Sequence, residues 1–187
     1  MGIVKRSEVL DYVTYTEKRD LLRPKILKEK ERRRIHIGNY ITVLFENHDT
    51  VLYQIQEMMR VEHIVKESDI AHEIETYNEL CSNNGNLGGT LLIEIDSPEE
   101  RQVKLKNWLL LPENLYVKLE SGERIKAEYD KRQVGDTRLS SVQYIKFNVK
   151  GKTPIAIGID MPKYSEIHSE VVFTNDQRKA LTEDLAN

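Results

Sequence analysis

Arg33, Arg34, Glu46, Gln54, Glu57, Arg60 and Glu62 fall within one short stretch of this chain and carry the side chains most able to do chemistry together. An arginine can hold a carboxylate or phosphate through two parallel hydrogen bonds, and a desolvated glutamate beside it can accept or donate a proton. Glu62 stands out first. On a helical wheel at about 100° per residue it falls in the middle of an apolar stripe made by Val51, Ile55, Met58 and Val65. A carboxylate buried there without a partner would cost several kcal/mol or be forced neutral, so a nearby cation or donor is expected. Arg32, Arg33 and Arg34 are the available cations. Such a pair is either a tuned acid, base or ligand anchor, or an ion pair that ties helix to strand.

Gln54, Glu57 and Arg60 recur at steps of three and drift from the edge of the apolar stripe towards solvent. They could meet one ligand or partner, or form an exposed face held by local charge pairs. Glu46 and Asn47 close a strand just before the helix start, where Asn47 could cap a turn and Glu46 could meet the positive helix terminus. His63 with Glu67, and His72 with Glu75, have spacings that share a helical face, but those faces are opposite the apolar stripes. No metal site is assigned, because bundle metal centres use inward-facing sets. Phosphate loops, nucleophile elbows and paired thiols are absent from the sequence.

These side chains must be positioned by regular elements. Ser7 is a candidate N-cap for a first helix, and Pro24 predicts a break near Arg23 before a second, basic helix that ends ahead of Gly38. Ile35, Ile37, Ile41, Val43 and Phe45 alternate as in one strand with an apolar side. A helix is expected from Val51 to Lys66, and another beyond Ser68 or Asp69 with Ile70, Ile74, Tyr77 and Cys81 inward. After the turn-rich run around Gly85 the grammar changes to strands: Thr90 to Ile95, Leu115 to Leu119, Ile125 to Tyr129, Val142 to Val149, Pro154 to Ile159 and Glu170 to Phe173. A short helix at Pro98 to Trp108 interrupts them, and Thr174 to Ala186 closes the chain. The expectation is one α+β domain over residues 1–187, a mainly helical half at 1–86 and a mainly strand half at 87–187. N-terminal helices pack on one face of a mainly antiparallel sheet, with a short C-terminal helix.

The chain has 187 residues, enough for one real core. Its net charge of -3 favours neither nucleic acid nor a strongly acidic partner. Local charge is more telling: Lys18 to Arg34 holds nine Lys and Arg against three acids, whereas Glu46 to Glu79 holds nine acids against two bases. The two segments could pair with each other or advertise a binding face. Nucleic-acid binding through Lys25 to Arg34 is disfavoured, since Glu29 and Glu31 interrupt the patch and aromatic residues are not interleaved. The one cysteine, Cys81, rules out an internal disulfide and a self-contained iron–sulfur cluster. No signal-like or membrane-spanning run is present, and a cytoplasmic location is expected.

Several blocks together resemble a known family. Arg19, Arg23, Lys30, the Arg32 to Arg34 run, Gly38, Phe45-Glu46, Thr50, Gln54 to Met58, Arg60, Glu62, Glu73 and Tyr77-Asn78 are similar to an uncharacterised bacterial family of about this length, classed as a domain of unknown function. Thr90 to Glu94, Ser141 to Phe147 and Gly158 to Asp160 resemble its later blocks, so the likeness covers nearly the whole chain. Gln143 and Met161 stand where that family often has histidine. The resemblance implies a redox or peroxide-handling neighbourhood, because members are often encoded beside a rubrerythrin-like protein and an iron–sulfur oxidoreductase resembling a heterodisulfide reductase subunit.

Three functions follow as expectations. The first is a cytosolic accessory protein that associates with an iron–sulfur oxidoreductase and a rubrerythrin-type partner, with no cofactor of its own. The second is a small enzyme or ligand-binding protein, its pocket between the strand ending at Glu46 and the Val51 helix, with Glu57, Arg60 and Glu62 as polar contacts. The third is nucleic-acid binding through the basic segment.

Overall fold

The computed structural model of the protein describes residues 2–131, 134–135 and 137–186. A single 3-10 turn, Arg6–Glu8, precedes a long helix, α1 (Tyr12–Glu31). Asp11 rather than Ser7 caps α1, its carboxylate accepting from the N–H groups of Val13 and Thr14. The break expected near Arg23 does not occur, and α1 runs through Pro24. Asp20, whose carbonyl loses its helical donor to the proline ring, is exposed, and so is Pro24. Solvent can take that hydrogen bond, so the helix survives.

The alternating run from Ile35 to Phe45 is a hairpin, β1 (Arg34–Ile37) and β2 (Ile41–Glu46), instead of one strand. Gly38 makes the turn at a φ of 62°. Ile35 pairs with Val43 and Ile37 with Ile41, so the odd-numbered residues of both strands face one side. The alternation therefore crosses the turn without a change of phase, which hides the turn from periodicity.

Asn47 caps α2 (His48–Val61) by accepting from the Thr50 N–H, while the Thr50 hydroxyl accepts from the Asn47 N–H. This helix stops at Val61, not at Lys66. His63 is left-handed, with a φ of 54°, and the Ile64 N–H donates to the Met59 carbonyl. That is the helix-ending geometry that glycine usually supplies. Glu62 and Val65 therefore lie beyond the helix, and both are exposed. The next helix, α3 (Glu67–Asn78), buries Ile70, Ile74 and Tyr77.

The strand half forms two antiparallel sheets. β3 (Leu87–Ile93), β6 (Glu128–Tyr129) and β7 (Val142–Phe147) join the hairpin in a five-stranded sheet of order β1-β2-β3-β7-β6. β4 (Leu115–Lys118), β5 (Arg124–Lys126), β8 (Ala156–Ile159) and β9 (Ser169–Val172) make a four-stranded sheet of order β5-β4-β8-β9. Two short helices, α4 (Pro98–Asn107) and α5 (Leu111–Asn114), stand between β3 and β4, and α6 (Asn175–Leu185) closes the chain.

The larger core contains Ile35, Phe45, Leu91 and Phe147 of the first sheet, Val117 and Ile157 of the second, and Trp108. A smaller core joins Val51, Ile55 and Met59 of α2 to Ile70 and Ile74 of α3, together with Leu80 and Cys81. The fold is α+β, with helices against one face of the first sheet and apolar packing on the other. Among the described residues no helix is long and apolar enough to cross a membrane.

Candidate functional site

Strand register builds a polar row on the helix-facing side of the first sheet. Arg34 pairs with Leu44, Leu44 with Thr90, and Thr90 with Tyr144. Their side chains stand abreast, with strands roughly 4.8 Å apart. Glu46 is the next residue after Leu44 on this face, and it lies opposite Gly88. A Cβ at Gly88 would collide with the Leu80 carbonyl oxygen, so glycine lets the chain that leaves α3 come down onto the sheet. Ser82 fastens that contact, donating to the Glu46 carbonyl at 2.8 Å and accepting the Gly88 N–H at 3.2 Å.

Between this row and the helices lies a cavity of about 260 Å³. Lys30 of α1, Arg34, Glu46 and Gln54 of α2 supply its charged and amide groups, and Thr90 and Tyr144 add hydroxyls. Glu46 is only 5% exposed; its Oε1 accepts from the Thr90 hydroxyl at 3.2 Å, and its Oε2 has no hydrogen-bond partner. Burial pushes the Glu46 carboxyl above the ordinary carboxylate range. The positive charge of Lys30, the neighbouring hydroxyls of Thr50 and Thr90, and the charge of Arg34 offset only part of that. Lys30 moves the opposite way: burial lowers its ammonium, and the Glu46 charge resists. Its Nζ lies 5.0 Å from the Tyr53 ring centroid. Neither the Lys30 ammonium nor the Arg34 guanidinium makes an ion pair among the described residues.

Chemically, the cavity offers two unpaired cations and an amide around one deep carboxyl with a free lone pair. Cations so placed select a small molecule with negative charge, and an arginine can grip it in a planar fork. A carboxyl held above its usual range keeps its proton to higher pH than an exposed one does, which suits it to proton exchange.

Of the residues singled out in the sequence, Arg34, Glu46 and Gln54 meet at this cavity. The others go elsewhere. Glu62 is exposed past the end of α2, so the buried carboxylate argued for it and its arginine tie do not exist. The tie is made instead by Glu57: Arg19 donates to its two oxygens at 2.7 and 2.8 Å, and Tyr15 donates to it at 2.7 Å. The Arg19 hydrogen bond holds the Glu57 carboxyl down at about 2. Arg60 flanks the same group, its Nε 3.6 Å from Glu57 Oε1. The polar contacts expected of Glu57, Arg60 and Glu62 are thus supplied by Lys30, Arg34, Glu46 and Gln54.

Arg33 is structural. It is 2% exposed, donates to the two oxygens of Asp184 at 2.8 Å each, and reaches Glu29 at 2.7 Å. Arg32 turns to Asp176 and Glu183 of α6. The Arg32 to Arg34 run therefore has separate destinations and is not one basic patch. His63 and Glu67 flank the break between α2 and α3 instead of sharing a helix, and Arg6 binds Glu67 at 2.6 Å. Gln143 and Met161 are buried away from the cavity lining, Met161 within the larger core.

Lys30, Thr90 and Tyr144 are the cavity residues that sequence patterning missed. Lys30 looks like any other lysine of a basic helix, and the register that sets Thr90 and Tyr144 beside Arg34 is visible only once the strands are paired.

Comparison with known proteins places this chain in a wider group. A crystal structure of a novel protein of unknown function from Burkholderia pseudomallei K96243 is similar over 97% of this chain and 98% of that one, with a TM-score of 0.87 and 27% identity. No functionally curated protein matches the chain. The resemblance carried by the Phe45-Glu46 and Gln54 to Glu62 blocks is borne out, since the family described as "Protein of unknown function (DUF3501)" matches residues 3–185, and the chain belongs to that family.

Proposed function

We propose that this is a cytoplasmic protein that binds a small anionic molecule in the Glu46 cavity and exchanges a proton with it through Glu46. The observation that carries this reading is a carboxyl only 5% exposed, with an unpartnered Oε2, among the lining of a cavity that also holds the unpaired cations Lys30 and Arg34. An unsatisfied buried carboxyl oxygen costs on the order of 1–3 kcal/mol or more, and the uncompensated charges of Lys30 and Arg34 beside it favour an anion. The volume of about 260 Å³ suits a metabolite smaller than a drug-sized ligand. Thermal melts with inorganic phosphate, acetate, pyruvate and succinate test it. At least one of these anions should raise the melting temperature of the wild type with saturation and leave Arg34→Gln unmoved. Equal stabilisation of both proteins by every anion would remove the reading.

A second reading is the accessory role beside an iron–sulfur oxidoreductase and a rubrerythrin-type partner. The observation that favours it is on α1, where Lys18, Lys25 and Lys28 are exposed around Leu21, itself 81% exposed. A cationic face with an apolar centre suits an acidic partner surface. Co-expression and affinity capture under reducing anaerobic conditions test it; failure to retain either partner, with the wild type and Leu21→Asp behaving alike, would dispose of it.

A further inference from the structure

Lys30 is unlike the other lysines of the basic stretch of α1. Lys18, Lys25 and Lys28 are exposed, whereas Lys30 is half-buried and lines the Glu46 cavity together with Arg34. Among the described residues no carboxylate closes an ion pair on its ammonium, and Nζ stands 5.0 Å from the Tyr53 ring centroid. Burial and the charge of Arg34 push the ammonium towards losing its proton; the charges of Glu46 and Glu57 resist, and burial prevails. A lysine desolvated in this way next to another cation is an activated amine that can attack a carbonyl carbon.

We propose that Lys30 is a nucleophile that forms an imine with a 2-oxo acid bound in this cavity. The inference rests on the anion-binding reading above and names the chemical class of its ligand. Arg34 takes the carboxylate in its planar fork, which leaves the neighbouring keto carbon to the lysine. The ammonium draws the anion in, and the fraction of Lys30 that has lost its proton attacks. A C–N bond forms, the C–O double bond breaks, and the two amine hydrogens leave with the former keto oxygen as water. No oxidant or reductant is consumed. Leu44, Val51 and Leu92 line the same cavity, so a short aliphatic chain on the 2-oxo acid meets apolar walls. Succinate has the charge for the cavity but no keto carbon, and it competes without reacting.

The test incubates the full chain with pyruvate and sodium cyanoborohydride, which traps an imine as a secondary amine, and locates the adduct by intact mass and peptide mapping. Lys30 gains one carboxyethyl group at least about tenfold faster than the exposed Lys25 and Lys28, and succinate protects it. Arg34→Gln slows trapping at Lys30 by at least about tenfold and leaves Lys25 and Lys28 unchanged. Trapping at Lys30 no faster than at Lys25 and Lys28 overturns the proposal. Fast trapping at Lys30 that Arg34→Gln leaves unchanged overturns it too. If succinate raises the melting temperature of the wild type while Lys30 stays untrapped, the imine is removed and the anion site stands; no response to any anion together with no trapping removes both.

Discussion

Arg34 and Glu46 are diagonal neighbours on one face of adjoining strands, Arg34 pairing with Leu44 and Glu46 following it on that face, yet no ion pair joins them. A surface sheet would close such opposite charges on each other at little cost. Here they stay apart with the cavity between the sheet and the helices, and the carboxyl keeps an unpartnered oxygen. In the proposed function, a bound anion completes the Arg34 side of this arrangement.

Glu46→Gln tests the energetic side of that statement. Burial raises the Glu46 carboxyl in the folded state, so its contribution to stability is fully present below the unfolded value and is lost as pH rises through the folded one. Glutamine does not titrate. The variant should melt at an equal or higher temperature than the wild type at alkaline pH, with its advantage shrinking as pH falls towards the ordinary carboxylate value of 4.5. Melts across that range read it directly.

Glu57 behaves with the opposite sign. Its folded value of about 2 lies below the ordinary 4.5, so its stabilisation is present above 4.5 and is lost as pH falls through the folded value. Solvent screens part of the pair with Arg19, so its contribution is smaller than the shift alone would suggest. Arg19→Ala, Glu57→Gln and the double variant, unfolded in urea at pH 7, should show coupling, and the coupling should fade near pH 2.

Arg33 and Glu62 make a paired prediction. Removing Arg33 takes two of the three side-chain donors from the buried Asp184 carboxylate, 5% exposed, and leaves it Asn47 Nδ2 at 3.2 Å. Arg33→Ala should cost about 3–5 kcal/mol in denaturant unfolding. Glu62→Ala, on an exposed turn, should stay within about 0.5 kcal/mol of the wild type.

Gly88→Ala should be severe for a backbone reason. The new Cβ meets the Leu80 carbonyl, which cannot swing aside as a side chain could. The Leu80 to Ser82 segment must lift from the sheet, releasing the Ser82 bonds to Glu46 and Gly88. A large drop in melting temperature, and loss of any anion-dependent stabilisation in whatever folds, is the expected outcome.

Much of the fold was legible in residue pattern, and the exceptions have specific causes. Strands such as Val142 to Phe147 and the inward stripe Ile70, Ile74 and Tyr77 follow periods of two and 3.6 because each has one buried face. The end of α2 was missed because a histidine, His63, takes the left-handed position where pattern looks for glycine. That single miss carried Glu62 onto a helical wheel it does not share. The β1–β2 turn was missed because an odd register preserves alternation. The site was half legible: Arg34, Glu46 and Gln54 are near in sequence to the strand and helix that hold them, whereas Lys30, Thr90 and Tyr144 arrive through tertiary pairing that local pattern does not encode. The requirement for a partnered buried acid was sound, but Glu57 meets it.

The most direct test of the anion site is a two-dimensional NMR titration of the full chain with inorganic phosphate and with pyruvate, acetate and succinate in turn. The account predicts saturable shifts for at least one probe, with a dissociation constant below about 1 mM, centred on Lys30, Arg34, Glu46, Gln54 and Thr90 and lost in Arg34→Gln. Linear, unsaturated shifts for every probe, or saturable shifts that survive in Arg34→Gln and avoid those residues, would contradict it.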